Sequence, residues 1–106
     1  MAMSKKNVIL EELSVILERC RVQGQRIVFT NGCFDLLHVG HVRSLQAARH
    51  LGEILVVGLN SDLSVSQIKG SQRPITPENQ RSEILAALIC VDYIVIFPEP
   101  DPLRVI

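Results

Sequence analysis

The sequence predicts an α/β fold built on a doubly wound parallel sheet, and three observations predict it. Apolar runs at 26–30, 53–59 and 91–97 are continuous rather than alternating, as expected of parallel strands covered on both faces. The segments between them carry apolar residues at helical spacing. Strand, helix and strand succeed one another at βαβ length, and right-handed crossovers set such strands side by side in one sheet.

Each element has its own warrant. Ile9, Leu13, Ile16, Leu17 and Cys20 share one helical face and Gly24 follows the last turn, so residues 7–23 form a leading helix with a glycine stop. Residues 26–30 make the first strand. Val39, Val42, Leu45, Ala48 and Leu51 then recur at helical spacing, and Gly52 closes that helix before the second strand at 53–59. From Asn60 to Thr76 the composition turns polar, which predicts a short helix giving way to a long loop of the kind that carries function or disorder. Thr76 or Pro77 opens another helix, continued by Glu78, Ile84, Leu85 and Leu88. The third strand, 91–97, is ended by Pro98, Pro100 and Pro102.

Bulk properties exclude several classes of function. A chain of 106 residues with 47% hydrophobic content buries one core and is too short for two ordinary domains. Eleven basic and eleven acidic side chains leave no net charge, so neither nucleic acid nor an anionic membrane surface is expected as a partner. Cys20, Cys33 and Cys90 are odd in number and lack a Cys-x-x-Cys pair, which argues against a disulfide framework and a structural zinc site. With no apolar core of a signal peptide near the start, a soluble protein of the cytoplasm is expected.

The stretch Thr30-Asn31-Gly32-Cys33-Phe34-Asp35-Leu36-Leu37-His38-Val39-Gly40-His41 sits where a strand passes into a helix, the place where open α/β sheets bind ligands. Gly32 permits a tight turn that lets backbone N–H groups near Cys33 and Phe34 approach an anion. The helix start adds its dipole, and Gly40 keeps the first turn open. His38 and His41, three residues apart, share a face and can point at one ligand. An adjacent phosphate favours imidazolium, so both rings are expected to be charged donors to phosphate oxygens. Taken alone, Asp62 also suits a helix cap, Asp35 a turn, Lys69 a solvated loop and Cys33 a small buried space-filler.

These residues resemble the nucleotidyltransferases with a His-x-Gly-His signature, here His38-Val39-Gly40-His41 following Asn31-Gly32-Cys33-Phe34-Asp35. Gly58-Leu59-Asn60-Ser61-Asp62, Lys69-Gly70, Arg73-Pro74, Gln80-Arg81 and Val91-Asp92 follow in the order of the branch that adenylylates D-glycero-β-D-manno-heptose 1-phosphate, and the likeness covers residues 25–106. The resemblance implies a Rossmann-like nucleotidyltransferase domain over 25–106, preceded by the leading helix at 1–24. It implies transfer of AMP from ATP to a sugar 1-phosphate with release of pyrophosphate, Mg²⁺ riding on the triphosphate, and no covalent enzyme intermediate.

Carried over by position, His38, His41 and Lys69 are the catalytic residues, with Lys69 reaching the phosphates from a flexible loop. Thr30, Asn31, Gly32, Cys33, Phe34, Asp35 and Gly40 line the nucleotide pocket. Asn60 and Asp62 border it, Arg73 and Arg81 contact anions, and Asp92 completes the set. The family continues past the third strand into another strand and a Ser/Thr-rich helix start that grips the triphosphate. No such segment is present here, so a C-terminally incomplete domain is expected. The alternatives are a cytidylyltransferase making CDP-glycerol or a CDP-alcohol, and a non-catalytic nucleotide-binding fragment. Apolar surface on the leading helix and the sheet leaves homodimer formation open.

Overall fold

The computed structural model describes residues 5–98. Four helices and three strands alternate through it: α1 (Leu10–Val22), β1 (Ile27–Gly32), α2 (Val39–Arg49), β2 (Ile54–Asn60), α3 (Asp62–Lys69), α4 (Glu78–Ala86) and β3 (Tyr93–Phe97). The expected ending at Pro100 and Pro102, and everything past 98, lies outside the described residues.

The strands form one parallel sheet in the order β1-β2-β3. Register runs from Ile27↔Ile54 to Gly32↔Leu59 on one side of β2 and from Val56↔Tyr93 to Asn60↔Phe97 on the other. The C-terminal ends of all three strands therefore lie along one edge of the sheet. β2 is central and buried from Leu55 through Asn60, which explains its unbroken apolar run.

Side chains alternate across the sheet, so β2 feeds two cores. Leu55, Val57 and Leu59 pack with Leu45 of α2, Leu85 of α4, and Val91 and Ile94. Val56 and Val95 face the other way and meet Leu13 of α1. Leu13 is 1% exposed, and its burial contributes roughly 2–3 kcal/mol to holding α1 on the sheet. Both crossover helices thus lie on one face and the leading helix on the opposite face. Glu11 and Glu12 in the first turn of α1 and Arg19 and Arg21 in its last turn complement the helix dipole.

Residues 6–8 add a short parallel pairing on the outer edge of β3. Val8 N–H donates to the Ile94 carbonyl at 3.0 Å and Ile94 N–H to the Lys6 carbonyl at 2.8 Å. The Ser82 hydroxyl on α4 donates to the Asn7 side chain and pins this segment.

The structure departs from the sequence reading in four places. Ile9 is the exposed N-cap of α1 rather than part of its apolar face. In α2 only Leu45 is buried; Val39, its first residue, is 60% exposed, and Leu51, expected in this helix, falls past its end and is 69% exposed. The polar stretch is a short helix and then a loop, as expected, but the helix reaches further: Ser61 caps α3, accepting the Ser64 N–H at 3.2 Å, and α3 runs to Lys69. Lys69 is therefore the last residue of α3, and the loop shrinks to 70–77. Finally, Pro77 is the N-cap of α4, and that helix buries Arg81 and Ser82 while Ile84 is 45% exposed. Among the described residues no helix is long and apolar enough to cross a membrane.

Candidate active site

β1 ends at Gly32 and the chain turns sharply through Phe34, whose φ of +48° lies in the left-handed region. A Cβ on Gly32 would stand 2.9 Å from the Phe34 ring, so glycine is what lets that ring fold back over the strand end. The ring then meets His41 edge-on, with centroids 5.5 Å apart. A strained backbone is held here by the packing it permits.

His38 is the N-cap of α2, in extended conformation. Its Nδ1 accepts the Gly40 N–H at 3.0 Å, and its own N–H donates to His41 Nδ1 at 3.2 Å. The two histidines form a reciprocal capping box in which imidazoles do the work usually left to Ser and Glu. Their rings lie 4.1 Å apart at 33°. Gly40 makes the arrangement fit, since a Cβ there would come within 2.8 Å of His38 Cε1.

This geometry assigns a role to each ring nitrogen. Each Nδ1 accepts a backbone N–H, so the ring hydrogen of each histidine sits on Nε2. Burial, then the positive charge of His38, then that of Lys69 hold the His41 pKa below its ordinary value of 6.5. With Nδ1 of each ring engaged as an acceptor, Nε2 of each ring is the nitrogen left to donate to a ligand.

Lys69 is exposed at the end of α3, and its charge is the third cause that lowers the His41 pKa. Asn60 is buried at the end of β2, and its Oδ1 lies 3.8 Å from Cys33 Sγ. Cys33 is half-buried, not enclosed, because it sits at the open end of β1. Thr30 and Asn31 lie in β1 just before the turn, with Asn31 exposed.

Both expected anion contacts, Arg81 and Arg73, are engaged within the protein. Arg81 is 1% exposed and donates through Nη1 to the carbonyls of Cys33 at 2.6 Å and Asn60 at 2.8 Å, through Nε to Thr76 at 2.9 Å, and through Nη2 to Asp62 at 2.7 Å. It ties the ends of β1 and β2 to the start of α3 and leaves no surface for a ligand. Asp62 also exchanges backbone bonds with Glu78: each carboxylate accepts the other residue's N–H at 2.8 Å, joining the first turns of α3 and α4. Arg73 places Nε 2.5 Å from Asp35.

Asp35 is buried, and its carboxylate also accepts the N–H groups of Ile75 and Thr76, at 2.9 and 2.8 Å. Burial alone would raise its pKa, but the Thr76 and Ile75 amides and the Arg73 guanidinium outweigh that and bring it down to about 2. Asp92 stands apart from all of these. It accepts the Leu55 N–H at 2.7 Å and pairs with Arg49 at 3.1 Å, at the start of β2 and roughly 16 Å along that strand from Asn60.

Sequence reasoning missed Glu78 and Thr76 as partners in this framework. Glu78 was visible only as an acid in a helix first turn, and the long-range pairing with Asp62 had no local signature.

A parallel sheet with a histidine-capped helix at the C-terminal end of its first strand defines a nucleotidyltransferase-type α/β domain. The chain belongs to the cytidylyltransferase-like family, whose model matches residues 29–106. It is 59% identical over 97 residues to the bifunctional protein HldE of Geotalea uraniireducens, a match covering 92% of this chain and 20% of that protein. The bifunctional protein HldE of Pelobacter propionicus is 60% identical over 94 residues, or 89% and 19%. The chain thus spans about one fifth of the length of the curated relatives it matches. A solved lipopolysaccharide core biosynthesis protein from Thermoplasma volcanium superposes with a TM-score of 0.67 at 34% identity, over 76% of this chain and 65% of that one.

Proposed function

We propose that this domain transfers AMP from ATP to a sugar 1-phosphate, a heptose 1-phosphate, and releases pyrophosphate. One observation carries the reading: His38 and His41, each with Nδ1 engaged by a backbone N–H, leave paired Nε2–H donors at the start of α2, just past the end of β1. In the reaction an oxygen of the acceptor phosphate forms a bond to the α-phosphorus of ATP. The bond from that phosphorus to the bridging oxygen breaks, and pyrophosphate departs with the electron pair. The protein needs no nucleophile of its own, only alignment and donors aimed at the developing charge. Donors held in place suit this, because they require no reorganisation when charge accumulates.

Mg²⁺ enters on the triphosphate as part of the substrate. Among the described residues no group of three His, Cys, Asp or Glu is placed to hold a resident ion. The relatives named HldE and the neighbour named for lipopolysaccharide core biosynthesis support a sugar-phosphate acceptor. The family's cytidylyltransferase-like description favours a second reading, with CTP as donor and glycerol phosphate or another phospho-alcohol as acceptor.

The test is pyrophosphate release with ATP or CTP against heptose 1-phosphate and glycerol 3-phosphate. Turnover with ATP and the heptose is expected, and turnover with CTP alone selects the second reading. Nucleotide binding by calorimetry without turnover under any pairing would make the chain a binding fragment.

A further inference from the structure

The turn that presents Phe34 to His41 also reaches 40 residues along the chain. Asp35, its next residue, holds Arg73, Ile75 and Thr76 through one buried carboxylate. These residues lie just beyond Lys69 and Gly70. α3 is fastened firmly at its first turn by Ser61, Arg81 and Glu78. Its last turn is different: none of residues 66–69 is buried. Past that turn the chain bends so that Arg73 N–H donates to the Gly70 carbonyl at 3.1 Å, and then it reaches the Asp35 contacts. Gly70, at φ +111°, has no neighbour within 4 Å of where a Cβ would stand, so it offers the free backbone of a hinge.

We propose that Asp35 is a positioning residue: by holding the 73–76 segment it keeps the last turn of α3, and Lys69 with it, turned toward the histidine pair. Its neighbour Phe34 fixes His41 from one side while Asp35 fixes the approach of the cation from the other. The first turn after β1 therefore sets both halves of the donor array. Its catalytic meaning rests on the nucleotidyl-transfer reading, but the positioning itself is testable without turnover.

The experiment monitors the His41 ring by NMR titration in the full chain. Lys69→Met removes a charge that faces His41 and raises its pKa. Asp35→Asn is expected to raise it as well, because Lys69 swings away, and the double variant Asp35→Asn/Lys69→Met should rise no further than Lys69→Met alone. Loss of the Asp35 charge acts by itself in the opposite direction, so a rise reports movement of Lys69 and not a local electrostatic change. Amide exchange at Ile75 and Thr76 should quicken by about tenfold or more in Asp35→Asn.

Should Asp35→Asn fail to fold, Ile75→Pro removes one N–H donor to Asp35 without altering any charge, at a residue 61% exposed, and should raise the His41 pKa in the same direction. An unchanged His41 titration in Asp35→Asn, or in Ile75→Pro where that variant must serve, overturns the proposal. So does an unchanged titration in Lys69→Met. If the wild-type chain neither binds nor turns over nucleotide, the functional reading fails while the titrations still decide the role of Asp35.

Discussion

His41 Nδ1 accepts the backbone N–H of His38 at 3.2 Å, so the residue assigned to catalysis also terminates the helix that carries it. Replacing His41 by Ala removes both roles. Stability should fall by about 1 kcal/mol, the usual size of a lost helix cap, while pyrophosphate release falls by about 100-fold or more. A denaturant titration run beside the assay separates the two, and a variant that loses activity only in proportion to its folded fraction would refute the catalytic role.

Gly40→Ala should uncouple stability from function. Its Cβ would displace the His38 ring, 2.8 Å away, and cost the cap, but alanine inside a helix is worth about 1 kcal/mol over glycine. The two effects nearly cancel in the melting temperature. Transfer activity should nonetheless drop at least about tenfold, because the His38 Nε2–H no longer points where its tautomer was set.

Acid should destabilise the protein in two separate windows. The folded His41 pKa is lowered from 6.5, so the unfolded chain takes up a proton that the fold resists, and stability declines as pH falls below about 6.5. The folded Asp35 pKa is about 2 against an ordinary 3.8. Its contribution of about 2 kcal/mol is fully present well above pH 3.8 and drains away between 3.8 and 2. Urea unfolding at pH 7.5, 5.5 and 3 would resolve the steps; Asp35→Asn should abolish the second and, by raising the His41 pKa, also shrink the first.

Arg81→Met should be the most damaging single substitution in the loop region. It leaves the carbonyls of Cys33, Asn60 and Thr76 without their buried donor, at a cost of about 3–5 kcal/mol. Arg19→Ala on exposed α1 should stay within about 0.5 kcal/mol and serves as the comparison in the same melts.

The sheet and its helices were legible because buried parallel strands leave continuous apolar runs, and 54–60 and 93–97 carry them. The histidine pair was legible too, since three-residue spacing at a helix start places two rings on one face. Roles that depend on long-range partners were not. Arg81 and a surface arginine look alike in sequence, and only the fold brings three carbonyls around one of them. Asp92 fits a motif order yet lies at the far end of β2, because sequence proximity to a strand does not say which end of the sheet is meant. The histidine tautomers were hidden for the same reason: they are set by backbone N–H groups whose directions exist only once α2 has formed.

The pairing of residues 6–8 with Ile94 covers the start of the outer β3 edge, while among the described residues no strand pairs with the outer side of β1. A strand that enlarges this sheet beside β1 would meet an edge with none of its pairing taken. In parallel alignment its end arrives level with Gly32, beside the Nε2–H groups of His38 and His41. Growth of the sheet and walling of the ligand pocket are one and the same event in this architecture.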